Sequence, residues 1–161
     1  MTFRSPCVED KPDRPDMPER MRDLLDMFSM MEDRQDRIQA LIGIADAYEP
    51  VPERIAKSPY PETSRVPNCE SEAFAFAEPL ESGGLRYWFA IENPQGVSAM
   101  AMAKVIDDTL SGEAPDEVLK VPPDIIYHLF GRELSMGKSA GLMGMMQMVH
   151  ALTRQSTQAA S

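Results

Sequence analysis

Apolar residues recur at helical spacing in the first third of the chain. After Pro18 they form a stripe at positions i, i+3, i+4, i+7 and i+10, namely Met21, Leu24, Leu25, Phe28 and Met31. The same spacing returns after the charged residues 32–37, at Ile38, Leu41, Ile42, Ala45 and Tyr48. A period of about 3.6 residues is typical of a helix that buries one face. The pattern therefore predicts two consecutive amphipathic helices, the second of which ends before Pro50.

In the middle of the chain the spacing changes to every second residue. Phe74 and Phe76 alternate with alanines, and a second run places on one face Leu85, Tyr87, Phe89 and Ile91. Alternation of this kind is typical of β-strands. Because Gly83 and Gly84 lie between the two runs and suit a turn, the pattern predicts an antiparallel β-hairpin.

Helical patterns return after the hairpin. Residues 97–110 are apolar nearly all round, which predicts a helix packed closely against the sheet. Two short helices are expected at 115–121 and 122–130, because each stretch has proline in its first turn. Ser135 is a suitable N-cap for the last helix, whose stripe consists of Leu142, Met145, Met146, Val149 and Leu152.

The remaining segments set the boundaries of a single domain. Residues 49–67 are rich in proline and predict a long ordered loop with at most one helical turn. The charged residues 1–17 predict a flexible N-terminal tail, and the small polar residues 155–161 a frayed C-terminus. Residues 18–154 then form one α+β domain, in which several helices pack on a small antiparallel sheet.

Composition and charge narrow the classes of function. The 161 residues are 43% hydrophobic and 26% charged, as in an ordinary globular domain. The net charge of −10 disfavours nucleic acid as a partner, because phosphate contacts need a basic face. No run of about 18 apolar residues and no signal-peptide core occur, so we expect a cytoplasmic protein that does not bind membranes. Two cysteines and two histidines are too few for a convincing zinc site, and we expect no metal.

Cys69 is the main candidate for a functional residue. It follows a Pro-Asn pair that is typical of a turn and precedes the first predicted strand, so a loop presents its thiol. Reactive cysteines usually have a cation, a helix N-terminus or a base nearby. Here Arg65 is the only cation within four residues, and the acidic Glu70 and Glu72 follow. The local sequence therefore does not describe a strongly activated nucleophile.

The other candidates for cysteine chemistry are weaker. His128 and His150 lie on predicted helices far along the chain, where they are expected to be ordinary helix residues. Since a cysteine hydrolase needs a histidine held against its thiol, hydrolysis is disfavoured. Cys7 lies in the predicted tail and is interpreted as an incidental exposed thiol.

The sequence around Cys69 resembles the cysteine loop of the SufE family of sulfur acceptors. The stretch RVPNCESEAF is similar to the family pattern Arg-Val-x-Gly-Cys-x-Ser-x, which precedes an apolar strand. Two more segments resemble the family in the same order, LSGEAPDEVLKV at 110–121 and LSMGKSAGLMGMM at 134–146. The resemblance extends over residues 21 to 153 and implies the SufE/NifU-like α+β fold.

The resemblance implies a role in sulfur transfer. SufE-like proteins accept sulfur from the persulfide of a PLP-dependent cysteine desulfurase (SufS-like), stimulate that enzyme, and pass the sulfur to iron–sulfur scaffold proteins. By this resemblance Cys69 carries the persulfide, and the protein needs no cofactor because PLP resides on the desulfurase. The implied partner-binding residues are Arg65, Asn68, Glu70, Ser71, Lys138 and Ser139. The alternative is a non-reactive protein-interaction domain of the same fold, in which Cys69 is an inert, buried residue.

Several positions depart from the family pattern. Asn68 replaces the glycine before the cysteine, and asparagine tolerates the left-handed backbone conformation better than most residues. Lys138 replaces an arginine, which keeps the charge but loses bidentate hydrogen bonding. Glu70 and Glu72 replace glutamines, so the region around the thiol is more acidic than the pattern.

Overall fold

The computed structural model describes residues 16–159. This part of the chain forms six α-helices, two short 3-10 helices and a two-stranded antiparallel sheet. The α-helices are α1 (Glu19–Ser29), α2 (Arg34–Asp46), α3 (Val97–Leu110), α4 (Pro115–Leu119), α5 (Ile126–Phe130) and α6 (Met136–Ala159). The strands are β1 (Ala73–Pro79) and β2 (Leu85–Ile91), and the 3-10 helices are Glu62–Ser64 and Pro123–Ile125. The expected α+β architecture is confirmed.

The hairpin is buried on both of its faces. Its register pairs Ala75 with Phe89 and Phe76 with Trp88. One face contributes to the main core. The opposite face forms a second, smaller cluster beneath the proline-rich segment, with the buried members Val51, Phe74, Trp88 and Ala90. The alternation predicted the strands, whereas the cover on the second face depends on where the proline-rich segment folds.

The main core lies between the hairpin and the helices. Small alanines of β1, Ala73 and Ala75, face this core and let α6 pack closely against the strand. Helix α3 packs on β2 and on α2, and α6 closes the core with Met145 and Met146 fully buried. The result is a helical layer built on the small-residue face of the hairpin.

The structure shows where the last helix begins and ends and what becomes of the predicted terminal segments. Ser135 accepts a hydrogen bond at its Oγ from the Lys138 backbone N–H at 3.2 Å, which confirms the predicted N-cap of α6. Helix α6 continues through Ala159 and so includes most of the residues expected to fray. Of the predicted N-terminal tail, Asp16 and Met17 lie within the described residues, and Met17 is buried in the core. No described helix has both the length and the apolar character needed to cross a lipid bilayer.

Candidate functional site

Cys69 lies in a short loop, residues 66–72, that we call the cysteine loop. The loop is closed at its base, where the Val66 N–H donates to the Ala73 carbonyl oxygen at 2.8 Å. Its far end is tied to the chain after β2, because the Asn93 N–H donates to the Ser71 carbonyl oxygen at 3.2 Å. The thiol is therefore carried on a loop whose two ends are fixed.

The cysteine loop contains two non-glycine residues with left-handed backbone conformation. Asn68 has φ 61°, which confirms the conformation expected for the residue that replaces the family glycine. Glu72 has φ 50°, which no local sequence signal predicts for a glutamate. These two residues bracket Cys69 and turn the chain on either side of the thiol.

A row of glycines on α6 forms the surface against which the cysteine loop packs. A Cβ atom at Gly141 would lie 3.1 Å from the Cys69 Cα, and one at Gly144 would lie 2.5 Å from the Pro67 carbonyl oxygen. Both glycines are buried. The distance at Gly144 leaves no room for a side chain and the distance at Gly141 leaves little, so glycine at both positions lets the loop approach the helix backbone closely.

Two further glycines make room for polar side chains of the loop. A Cβ atom at Gly137 would lie 2.5 Å from Glu70 Oε1, and one at Gly96 would lie 2.9 Å from Ser71 Oγ. Glu70 is thereby held against the first turn of α6, where the partial positive charge of a helix N-terminus favours a carboxylate.

The Cys69 side chain is partly buried and lines a pocket of about 140 Å³. The thiol is free. The pocket is bounded by the cysteine loop, by the first turn of α3 and by the start of α6. Its ionisable lining residues besides Cys69 are Glu70 and Lys138. The starts of two helices thus border the small pocket that the Cys69 side chain lines.

The sequence matches the family described as "SufE: Fe-S metabolism associated domain" over residues 22–153. The chain belongs to the SufE family. A solution structure of a hypothetical protein from Thermus thermophilus is similar, with a TM-score of 0.66 and 25% sequence identity. The similarity covers 88% of this chain and 98% of that one. No curated protein sequence matches the chain significantly.

The SufE family assignment confirms the resemblance drawn from the three sequence segments and links the chain to iron–sulfur metabolism. The matched residues contain the whole cysteine loop and the first part of α6. Cys69, the residue that carries the resemblance, therefore lies inside both the family match and the pocket.

The structure brings some of the implied SufE partner-binding residues to the pocket and places others outside it. Glu70, Ser71 and Lys138 line the pocket together with Cys69. Asn68 is exposed at the tip of the loop. No contact tests a role in partner binding, so these roles stay predictions.

Arg65 and Ser139 do not line the Cys69 pocket. The Arg65 Nε donates to Glu62 Oε2 at 3.0 Å, and its guanidinium lies 5.0 Å from the centre of the Phe74 ring. The hydrogen bond from Arg65 to Glu62 raises the pKa of the guanidinium. The Ser139 hydroxyl donates to the Met136 carbonyl oxygen at 3.1 Å. Both side chains are engaged locally within the described part of the chain.

Neither histidine is placed to act on Cys69, in agreement with the sequence-based expectation. His128 is exposed on α5. His150 is buried, its Nε2 lies 2.7 Å from the Val121 carbonyl oxygen, and burial lowers its pKa. Cys7 lies outside the described residues. Within the described range, no three or more His, Cys, Asp or Glu side chains are grouped as a metal site would need.

Sequence reasoning missed the glycines that hold the site together. Gly137, Gly141 and Gly144 occur at i, i+4 and i+7, so they share one face of α6. That spacing was the signal in the sequence that one face of α6 lacks side chains and can be approached closely. It was not decisive, because a row of glycines on a helix does not identify the segment that packs against it.

Proposed function

We propose that this protein is a sulfur acceptor and carrier for iron–sulfur cluster assembly. Cys69 takes the outer sulfur of a persulfide formed on a PLP-dependent cysteine desulfurase and later gives it to an iron–sulfur scaffold protein. The observation that carries the proposal is a free thiol on a loop with fixed ends, beside a small pocket, in a member of the SufE family.

The transfer needs no oxidant or reductant. The Cys69 thiolate attacks the outer sulfur of the desulfurase persulfide, a new S–S bond forms, and the old S–S bond breaks. The desulfurase cysteine leaves as a thiolate and takes up the proton that the Cys69 thiol has lost. One thiol and one persulfide are consumed, and one thiol and one persulfide are formed. Because the reaction returns the desulfurase cysteine to its thiol form, it also explains how the protein would stimulate that enzyme.

The lack of a histidine in the lining of the Cys69 pocket supports transfer rather than hydrolysis. A hydrolase would carry its own histidine, whereas neither histidine of this chain lines the pocket. A carrier thiol works beside the active site of another protein, which can provide the activating groups. In the pocket the thiol is next to one basic side chain, Lys138, one acidic side chain, Glu70, and the starts of α3 and α6.

The proposal is tested by incubating the protein with a purified cysteine desulfurase and L-cysteine and measuring its intact mass. The expected result is a gain of one sulfur atom that a thiol reductant removes. Cys69→Ser should abolish the gain, and the matched variant Cys7→Ser should retain it. A protein that gains no sulfur, or gains it only through Cys7, would contradict the proposal and favour the non-reactive interaction domain.

A further inference from the structure

A groove of about 770 Å³ lies next to the Cys69 pocket. It is bounded by α2, by the start of α3, by residues 131–135, which connect α5 to α6, and by the first turn of α6. Val97, Ser98 and Lys138 line both the groove and the Cys69 pocket. A molecule bound in this groove would therefore lie beside the thiol.

The groove exposes apolar side chains that the described part of the fold leaves without cover. Ile38 and Ile42 of α2 are 37% and 40% exposed, and Val97 at the start of α3 is 43% exposed. Among the residues of α2, only Ala45 is buried. A contiguous patch of this kind, with a polar rim, is typical of a protein-binding surface.

The charge of the groove is opposite to that of the chain. Its charged lining residues are Arg34, Arg37, Arg132 and Lys138 on the basic side and Glu32 and Glu133 on the acidic side. The groove therefore has a net charge of +2, four minus two, on a chain whose net charge is −10. A ligand that carries carboxylates is favoured here and disfavoured over most of the remaining surface.

The four groove cations differ in how far they are already engaged. Arg34 forms an ion pair with Glu133 at 3.1 Å, and Arg37 donates to backbone carbonyl oxygens of α5. The side chains of Arg132 and Lys138 make no hydrogen bond or ion pair with any residue in the range 16–158, so they can pair with a ligand. Lys138 lies on the part of the groove wall that leads towards Cys69, since it also lines the thiol pocket.

We propose that the groove binds an apolar segment with acidic side chains that belongs to the cysteine desulfurase. This inference rests on the proposed function, and it names the surface by which the donor is held. Apolar side chains of the segment cover Ile38, Ile42 and Val97, and its carboxylates pair with Arg132 and Lys138. The connection between groove and pocket then brings the donor's persulfide within reach of Cys69.

The requirements of the two transfer steps favour the desulfurase as the occupant. In the accepting step Cys69 is the nucleophile, and neither histidine of this chain lines the pocket, so the donor must stay docked and supply the activation. In the delivering step the nucleophile belongs to the acceptor. Cys69 then needs no activation by its partner, so the acceptor does not have to stay docked for that purpose.

The apolar contact is tested with a pair of matched variants. Ile42→Glu puts a charge into the groove, and Met27→Glu puts one on an equally exposed apolar position of α1 that does not line the groove. Calorimetric titration with the purified desulfurase should show that Ile42→Glu weakens binding by about tenfold or more, while Met27→Glu binds as the unaltered protein does. Circular dichroism checks that both variants are folded.

The charge contact is tested with a second pair. Arg132→Glu reverses a groove cation, and Lys57→Glu makes the same change in net charge at an exposed position outside the groove. Only Arg132→Glu should weaken binding, and it should do so less at high salt, where pairs at an exposed rim are screened. At saturating desulfurase, both groove variants should still acquire sulfur on Cys69, because the thiol is intact.

The outcomes separate this inference from the proposed function. If all four variants bind the desulfurase equally and Cys69 acquires sulfur, the docking surface is wrong and the carrier function stands. If the unaltered protein acquires no sulfur at any desulfurase concentration, the carrier function fails, and the desulfurase as occupant fails with it. If the groove variants change only self-association, measured by sedimentation, a second copy of the chain occupies the groove and the proposal is overturned.

Discussion

The backbone at position 68 determines how the chain turns towards Cys69. A left-handed conformation costs most L-residues about 1–2 kcal/mol, because Cβ crowds the following carbonyl oxygen. Asparagine adopts this conformation more readily than most other non-glycine residues, and Asn68 has φ 61°. The departure from the family glycine is therefore conservative in its effect on the loop.

Substitutions of Asn68 should change the stability of the protein according to how readily the new residue adopts the left-handed conformation. Asn68→Ala should lower the free energy of unfolding by about 1 kcal/mol, because alanine keeps Cβ and lacks the local hydrogen bonds of asparagine. Asn68→Gly should change it by less than about 0.5 kcal/mol, since relief in the folded state is offset by greater freedom of the unfolded chain. Urea denaturation measures both values. Equal stabilities for the two variants would contradict the role assigned to this φ angle.

At the scale of elements, the site is a contact between a loop and a helix. The glycines of α6 give the cysteine loop a flat surface, and the loop carbonyl oxygen of Pro67 occupies the space that a side chain at Gly144 would fill. Glycine in the interior of a helix is unfavourable by about 1 kcal/mol relative to alanine, so its presence here is explained by the close approach.

Gly144→Ala and Gly43→Ala form a matched test of that contact. Gly43 is exposed on α2, and a Cβ atom there would have no neighbour within 4 Å, so alanine should raise stability by up to about 1 kcal/mol. At Gly144 the new methyl group meets a backbone oxygen that cannot rotate away, and stability should fall by about 1–3 kcal/mol. Thermal or urea denaturation measures the stabilities.

The same pair should also differ in the reactivity of the thiol. Because Gly144→Ala displaces the cysteine loop from α6, the partly buried Cys69 thiol should become more accessible. Its alkylation by iodoacetamide should therefore become faster. Gly43→Ala should leave the rate unchanged. A Gly144→Ala protein that is as stable as its parent and is alkylated at the parent's rate would show that α6 does not hold the loop.

The sequence predicted elements better than it predicted contacts between them. The 3.6- and two-residue periods placed the helices and the hairpin, because each period depends only on neighbours along the chain. The left-handed Glu72 and the contact of Gly144 with Pro67 depend on how segments meet in space, and no local pattern encodes them. For the site, the cysteine and the residues of its loop were predicted, whereas the helix face that supports them was not.

At the scale of the whole molecule, the hairpin joins two hydrophobic clusters into one unit. Alternate residues of β2 belong to different clusters, since Phe89 packs in the main core and its neighbour Trp88 in the smaller one. The proline-rich segment is also tied to β2, because the Val51 N–H and the Tyr48 hydroxyl both donate to the Phe89 carbonyl oxygen, at 3.1 and 2.8 Å. Loss of either cluster would therefore disturb the strand that both share.

This arrangement predicts that the two clusters unfold together. Trp88 is the single tryptophan and lies in the smaller cluster, so its fluorescence reports that cluster, while far-ultraviolet circular dichroism reports the helices around the main core. In urea the two signals should follow one transition with the same midpoint.

Val51→Ala, which removes buried apolar contact from the smaller cluster, should move both midpoints equally, with a loss of about 1–2 kcal/mol in the free energy of unfolding. Val97→Ala, the same change at an exposed position, should move neither by more than about 0.5 kcal/mol. If Val51→Ala moves the fluorescence midpoint alone, the proline-rich segment opens independently, and the hairpin does not couple the two faces.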